Sequence, residues 1–191
     1  MNQLRPALAS FVLLTVLTGV VYPLLVTGVA QVAFPTQANG SLLVSGGKAV
    51  GSTLIGQPFD DPKYFWSRLS ATSPSSYNTA ASSGSNLGPT SRRLRERIAA
   101  EAERLRAGNP RAPGGIPIDL VTASASGLDP HISPAAAGYQ LRRVARVRGL
   151  PVPTVEALVG RNTHGRQWGF LGEPVVDVLA LNVALDELAP E

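Results

Sequence analysis

Between Pro6 and Gly47 the chain carries no charged residue. The centre of that stretch, Leu8 to Val32, reads LASFVLLTVLTGVVYPLLVTGVAQV and is almost wholly apolar. A helix needs about 20 apolar residues to cross the hydrocarbon layer of a bilayer, and this run supplies slightly more. Inside lipid a backbone must satisfy its own N–H and C=O groups, so the run is predicted to form one transmembrane helix despite its β-branched content. Pro23 lies mid-span and removes one N–H donor, which predicts a kink with Gly19 nearby. Tyr22 and Pro23 at that depth do not suit a face that meets only lipid. They predict one side of the helix packed on another protein.

Orientation follows from the flanks. Arg5 and the α-amine precede the run, and the next positive charge after it is Lys48. The positive-inside bias then puts the N-terminus in the cytoplasm and everything from Phe34 onward outside. Residues 1–38 are assigned to the N-terminus and the span, and residues 39–191 to an extracytoplasmic domain. A cleaved signal peptide is the rival reading, with small residues near Gln37-Ala38 resembling a cleavage site. The run exceeds the about 7–15 apolar residues of a signal peptide, which favours an anchor that is kept.

Beyond the anchor about 150 residues remain, enough for one compact domain with its own core. The formal charge is +4, and Asp and Glu are interspersed with the numerous Arg residues. That pattern describes a solvated surface, not a nucleic-acid footprint, so no nucleic-acid partner is expected. Cysteine is absent, which excludes disulfides, thiol catalysis and Cys-based metal sites.

The domain reads as α+β, mostly short strands with three or four helices. Pro35 to Gly40 is a polar exit turn. Ser41 to Val44 and Thr53 to Ile55 are predicted strands around a Gly46-Gly47 turn, and Asp60-Asp61-Pro62 is a second turn. Tyr64-Phe65-Trp66 concentrates aromatic area. In a short strand Tyr64 and Trp66 would share one face, with core packing as the first role and docking as the second. Ser70 to Pro89 has loop composition, and Ser82 to Gly88 resembles a backbone nest without the Gly-Lys-Ser/Thr ending of a phosphate loop.

Thr90 or Ser91 caps a helix over Arg92 to Ala107, with Leu94, Ile98, Ala102 and Leu105 on one stripe. Arg92–Glu96 and Arg97–Glu101 are spaced as surface pairs. Asp119 to Thr122 is a predicted buried strand. Ser133 caps a helix with Pro134 at its first position, running to about Arg148. Thr154 caps a shorter helix, Gly160 to Gly172 is irregular, Val175 to Leu181 is a predicted strand, and a short helix closes the chain.

Two stretches carry the residue types of a site. Leu120 to Ala137 holds Ser124, Ser126, Asp129, His131 and Ser133 in one loop. A hydrolase would use one serine as nucleophile and His131 as base, but triad members come from separated elements and no Gly-x-Ser-x-Gly elbow is present. A metal site needs three or four ligands, which only Asp129, His131 and the distant His164 could begin to supply. Tight-turn capping by Asp and Ser side chains is the simpler account. Gly165 to Pro174 mixes Arg166, Trp168 and Phe170 with glycines, the composition of a rigid recognition loop, because Trp and Arg are favoured interface anchors. Core packing of the Trp is its equal alternative.

Six stretches, in order, carry a family resemblance: LTGVVYPLLVTGVAQVAFP at Leu17–Pro35, GSTLIGQPF at Gly51–Phe59, YFWSRLSA at Tyr64–Ala71, YNTAASSGSNLGPTS at Tyr77–Ser91, DLVTASASGLDPHISPAAA at Asp119–Ala137 and GRQWGFLGEPVVDVLALNVAL at Gly165–Leu185. The chain resembles the C subunits of Kdp-type potassium-transporting P-type ATPases of bacteria. It departs from them at Leu69, where Pro is usual, and at Asp177, where Asn is common. The resemblance implies a single-span accessory subunit of a four-part pump in the bacterial inner membrane. Its partners would be a channel-like A subunit, a catalytic B subunit and a small helical F subunit. It implies an assembly role and a description as a catalytic chaperone that raises the ATP affinity of the B subunit. No catalytic residue and no cofactor of its own are implied, and ATP enters only through the B subunit. The candidate partner-contact residues are Tyr22, Pro23, Trp66, Asp129, His131, Arg166 and Trp168.

Overall fold

The computed structural model describes residues 3–112 and 114–188. The chain divides into two compact units, the first ending at Leu42 and the second beginning at Leu43. In the first, α1 (Leu4–Val16) and α2 (Tyr22–Ala33) are joined by a π-helical segment, Leu17–Val21. Leu4–Ala33 is thus one helix of 30 residues, the one among the described residues long and apolar enough to cross a membrane. The perturbation predicted around Gly19 and Pro23 takes the form of this π segment. The Tyr22 N–H reaches five residues back to the Leu17 carbonyl, a widened turn beside the residue that has no N–H to give. Phe34 leaves helical geometry, and the polar exit is a single helical turn, α3 (Pro35–Ala38). The Asn39 side chain caps it by donating to the Pro35 carbonyl at 2.7 Å.

Strand β1 (Leu42–Ser45), which starts on the last residue of the first unit, pairs with β2 (Lys48–Ser52) of the second. The turn between them is Gly46-Gly47, both at positive φ, the geometry of a tight hairpin turn. Such a turn pairs the residues directly after it, so β2 falls at Lys48–Ser52 and the predicted strand at Thr53–Ile55 is a turn instead. Helix α4 (Arg92–Gly108) is capped by Ser91, whose Oγ accepts the Leu94 N–H, and it buries Leu105. Neither predicted surface pair forms; Glu101 accepts from Arg104 at 2.7 Å.

The predicted strand at Asp119–Thr122 is a helical turn, α5 (Ile118–Val121), with Leu120 and Val121 both buried. Thr122 Oγ1 donates back to the Ile118 carbonyl, closing the turn. After β3 (His131–Ile132), α6 (Pro134–Val147) starts on the Ser133 cap as predicted. Helix α7 (Val152–Arg161) starts from Pro151, ahead of Thr154, because Pro151 and Pro153 both suit an opening turn. Then come β4 (Thr163–His164), β5 (Val175–Asp177) and α8 (Val178–Leu188). The predicted strand through Leu181 therefore stops at Asp177. The Asp177 carboxylate accepts the Ala180 N–H at 2.9 Å and nucleates a helix where side-chain branching had pointed to a strand.

The antiparallel order is β3-β5-β4, with His131 opposite Asp177 and His164 opposite Val175. Helices α6, α7 and α8 pack in succession, and Val144, Val155, Val176, Leu181 and Leu185 fill the core between them. Phe65 and Trp66 enter that core as an extended segment outside any sheet. Their backbone groups are met by side-chain amides. Trp66 N–H donates to Gln140 Oε1 at 2.8 Å, and Gln140 Nε2 donates to the Trp66 carbonyl at 3.1 Å. Asn182 does the same for Phe65. Buried peptide groups need partners, and these two amides replace the strands the segment lacks. Both aromatic rings are buried, so the one-face alternation of a surface strand does not apply.

Candidate functional site

Gln167 to Phe170 form a tight turn with Trp168 at φ 52° and Gly169 at φ 84°. The Phe170 N–H donates to the Gln167 carbonyl, and Gln167 and Leu171 exchange two backbone bonds of 2.9 Å. At the base the Arg166 guanidinium grips the Glu173 carboxylate at 2.7–2.8 Å. The result is a stapled finger whose tip is Trp168, 85 % exposed, and Phe170, 67 % exposed, with ring centroids 6.5 Å apart. Two positive φ values in succession call for Asn or Gly. Trp in the left-handed region costs on the order of 1–2 kcal/mol, and here that cost yields no burial within the domain. The aromatic pair is thus exposed on a strained turn that is stapled at its base.

The second cluster lies in the loop ahead of β3. Asp129 Oδ2 pairs with Arg68 at 2.8 Å, and Oδ1 accepts the His131 N–H at 3.0 Å and faces His131 Nδ1 at 3.4 Å. Burial acts to raise the Asp129 pKa, but hydrogen bonds from the His131 side chain and N–H and from Arg68 outweigh it and hold the carboxyl below its ordinary value. The same bond to Asp129 raises the His131 pKa against the opposing effect of burial, with the charges of Asp129 and Asp177 adding to it. The imidazole of His164 meets that of His131 edge-on at 6.5 Å. Among the described residues no three metal-ligating side chains gather.

The serines of this loop accept backbone N–H groups: Ser124 from Gly127, Ser126 from Leu128 and Ser133 from Ala136. They hold the turn, and among the described residues none hydrogen-bonds His131. The structure thus joins Asp129 and His131 and adds Arg68, which the sequence reading missed; 61 residues separate Arg68 from its partner. Phe170 belongs beside Trp168 at the tip. Tyr22 and Pro23 are exposed on the long helix. Trp66 is 4 % exposed, and its indole N–H donates to the Asp61 carbonyl. Its ring is covered by the domain itself, so of its two predicted roles it fills the core one and presents no docking face.

A single long apolar helix followed by a small α+β domain fits the class of membrane-anchored proteins. The chain belongs to the KdpC family, the c chain of the K+-transporting ATPase, which matches residues 4–187. It is similar to the potassium-transporting ATPase KdpC subunit of Methylococcus capsulatus, 59% identical over 187 residues covering 98% of each chain. The KdpC subunit of Variovorax paradoxus is 60% identical over 98% of this chain and 97% of its own. That of Sorangium cellulosum is 60% identical over 96% of this chain and 97% of its own.

Proposed function

We propose that this chain is the accessory subunit of a potassium-transporting P-type ATPase. It assembles and stabilises the pump together with a channel-like A subunit, a catalytic B subunit and a small F subunit. The observation that carries the reading is the family match along residues 4–187, which spans both the anchor and the domain. In this reading residues 1–38 are the cytoplasmic N-terminus and the span, and residues 39–191 form one extracytoplasmic domain. The flanking charges support that orientation, with Arg5 on one side and none before Lys48 on the other. Arg166 and Trp168 are contact residues at the finger. Tyr22 and Pro23 mark the protein-facing side of the helix, and Asp129 with His131 shapes a further contact loop. The chain has no cofactor of its own; any gain in ATP affinity is exerted through the catalytic subunit.

Co-purification of the tagged full-length chain from its native membrane in mild detergent tests the assembly. Recovery of the three partner subunits is the expected result, and recovery of the chain alone overturns it. Protease added to intact spheroplasts tests the orientation: digestion of the domain supports it, and protection until lysis refutes it.

A further inference from the structure

Several arginines of the domain sit against carboxylates: Arg68 on Asp129, Arg148 on Asp186 and Arg166 on Glu173. One group departs from that habit. Arg142, Arg143 and Arg146 of α6, with Arg111 from the segment after α4, line a cleft of about 320 Å³ that also includes Asn109 and Tyr139 and no carboxylate. Among the described residues none of the four arginines forms an ion pair.

Arg143 is the innermost of them, 3 % exposed. It donates to Asn109 Oδ1 at 2.9 Å, to the Pro62 carbonyl at 2.6 Å and to Gln140 Oε1 at 2.7 Å. Its guanidinium carbon lies 4.0 Å from the centroid of the Trp66 ring. Every one of these partners is neutral, so a buried cation has a hydrogen bond at each of its three nitrogens yet no counter-charge in contact. Buried charges are normally paired, because the Coulomb gain offsets the lost hydration. Burial, with Arg104 and Arg146 adding and Asp61 opposing, pushes the Arg143 pKa down to about 10, so the group stays charged at neutral pH. Arg142 and Arg146 lie one turn apart on the same helix, where like charges repel. Both are exposed at the mouth of the cleft.

We propose that this cleft is a binding site for a phosphate-bearing anion. The planar guanidinium fork matches the oxygens of a phosphate. Four cations around one cleft attract a multiply charged oxyanion more strongly than a single carboxylate. Inorganic phosphate and the headgroup of an anionic phospholipid present the same phosphate oxygens to the guanidinium groups. The inference does not depend on the pump-subunit reading.

The test is calorimetric titration of the full-length chain in dodecyl maltoside at fixed ionic strength. The probes are inorganic phosphate, dihexanoyl phosphatidylglycerol, dihexanoyl phosphatidylcholine as a neutral reference and succinate as a carboxylate reference. Saturable binding of phosphate or phosphatidylglycerol is expected, weakened tenfold or more by the double variant Arg142→Gln with Arg146→Gln. Removing two charges elsewhere, Arg92→Gln with Arg93→Gln, is expected to leave binding unchanged. Both pairs are exposed, and matching thermal unfolding curves verify the folds. Phosphatidylglycerol binding that phosphate does not compete with assigns the headgroup; binding of phosphate itself assigns the free anion. The proposal is overturned if neither phosphate probe saturates, if both double variants weaken binding equally, or if succinate binds as tightly as phosphate, which would give the cleft to acidic side chains of a partner.

Discussion

Phe65 and Asn182 are 117 residues apart and exchange two hydrogen bonds: the Phe65 N–H donates to Asn182 Oδ1 at 2.9 Å, and Asn182 Nδ2 donates to the Phe65 carbonyl at 3.0 Å. The amide stands in for a neighbouring strand. Gln140 repeats the device one residue later at Trp66. The extended segment through the core is therefore tied to α6 and α8 by two side chains.

Replacing Asn182 by Leu leaves a buried N–H and a buried C=O without partners. Each such group costs about 1–3 kcal/mol, so the variant is expected to lose roughly 2–6 kcal/mol of stability. Thermal unfolding of the detergent-solubilised chain, followed by Trp fluorescence, reads this as a markedly lower Tm. An unchanged Tm would mean that the amide pairing contributes nothing.

Trp66 and Trp168 separate folding from docking. Trp66→Ala empties core volume and is expected to cost about 3–5 kcal/mol. Trp168→Gly removes an exposed ring from a left-handed backbone position, so stability stays level or rises by up to about 1 kcal/mol. Recovery of partner subunits with the tagged chain is nevertheless expected to fall for Trp168→Gly. Undiminished recovery would remove the finger from the interface.

Asp129 and His131 make the loop sensitive to pH from both sides. The folded pKa of Asp129 is depressed, so its contribution is present above its unfolded value of about 3.9 and is lost as pH falls through the folded pKa. The folded pKa of His131 is raised. Its contribution is full below about 6.5 and is lost as pH rises through the folded pKa. The stability gap between the native chain and His131→Ala is thus expected to be widest at about pH 5–6 and to narrow above neutrality. Urea unfolding midpoints across that range measure it, and a gap that widens with pH would contradict the geometry.

In the long helix, Pro23→Leu restores the missing N–H beside the π segment and lets the turn revert to α geometry. If the widened turn fits a neighbouring helix, this change weakens complex recovery in detergent more than Leu14→Val does. Equal recovery for both would leave Tyr22 and Pro23 without a protein-facing role.

What was legible in the sequence was local. The apolar run, the Ser91 and Ser133 caps and the stripe of α4 all follow from signals within a few residues. The start of α8 did not, because Val175 to Leu181 is apolar apart from Asp177 and favours neither period; Asp177, three residues before Ala180, was the missed cap. At the site, Arg166, Trp168, Asp129 and His131 stood out by residue type. Arg68 did not, since nothing nearby marks it as the partner of Asp129. The arginine cleft was read as solvated surface, because i,i+1,i+4 arginines on a helix look the same in sequence whether the groove beside them is open or closed.

Helix α8 carries Asn182 and the fully buried Leu181 and Leu185, all within the last stretch of the described chain. A ribosome delivers residues in order, and domains generally fold as units. Phe65 therefore has to wait, unpartnered, until more than a hundred further residues have emerged. The domain is closed by the last of its described helices, like a purse drawn shut by a late length of cord, and a nascent chain halted short of residue 181 lacks the clasp.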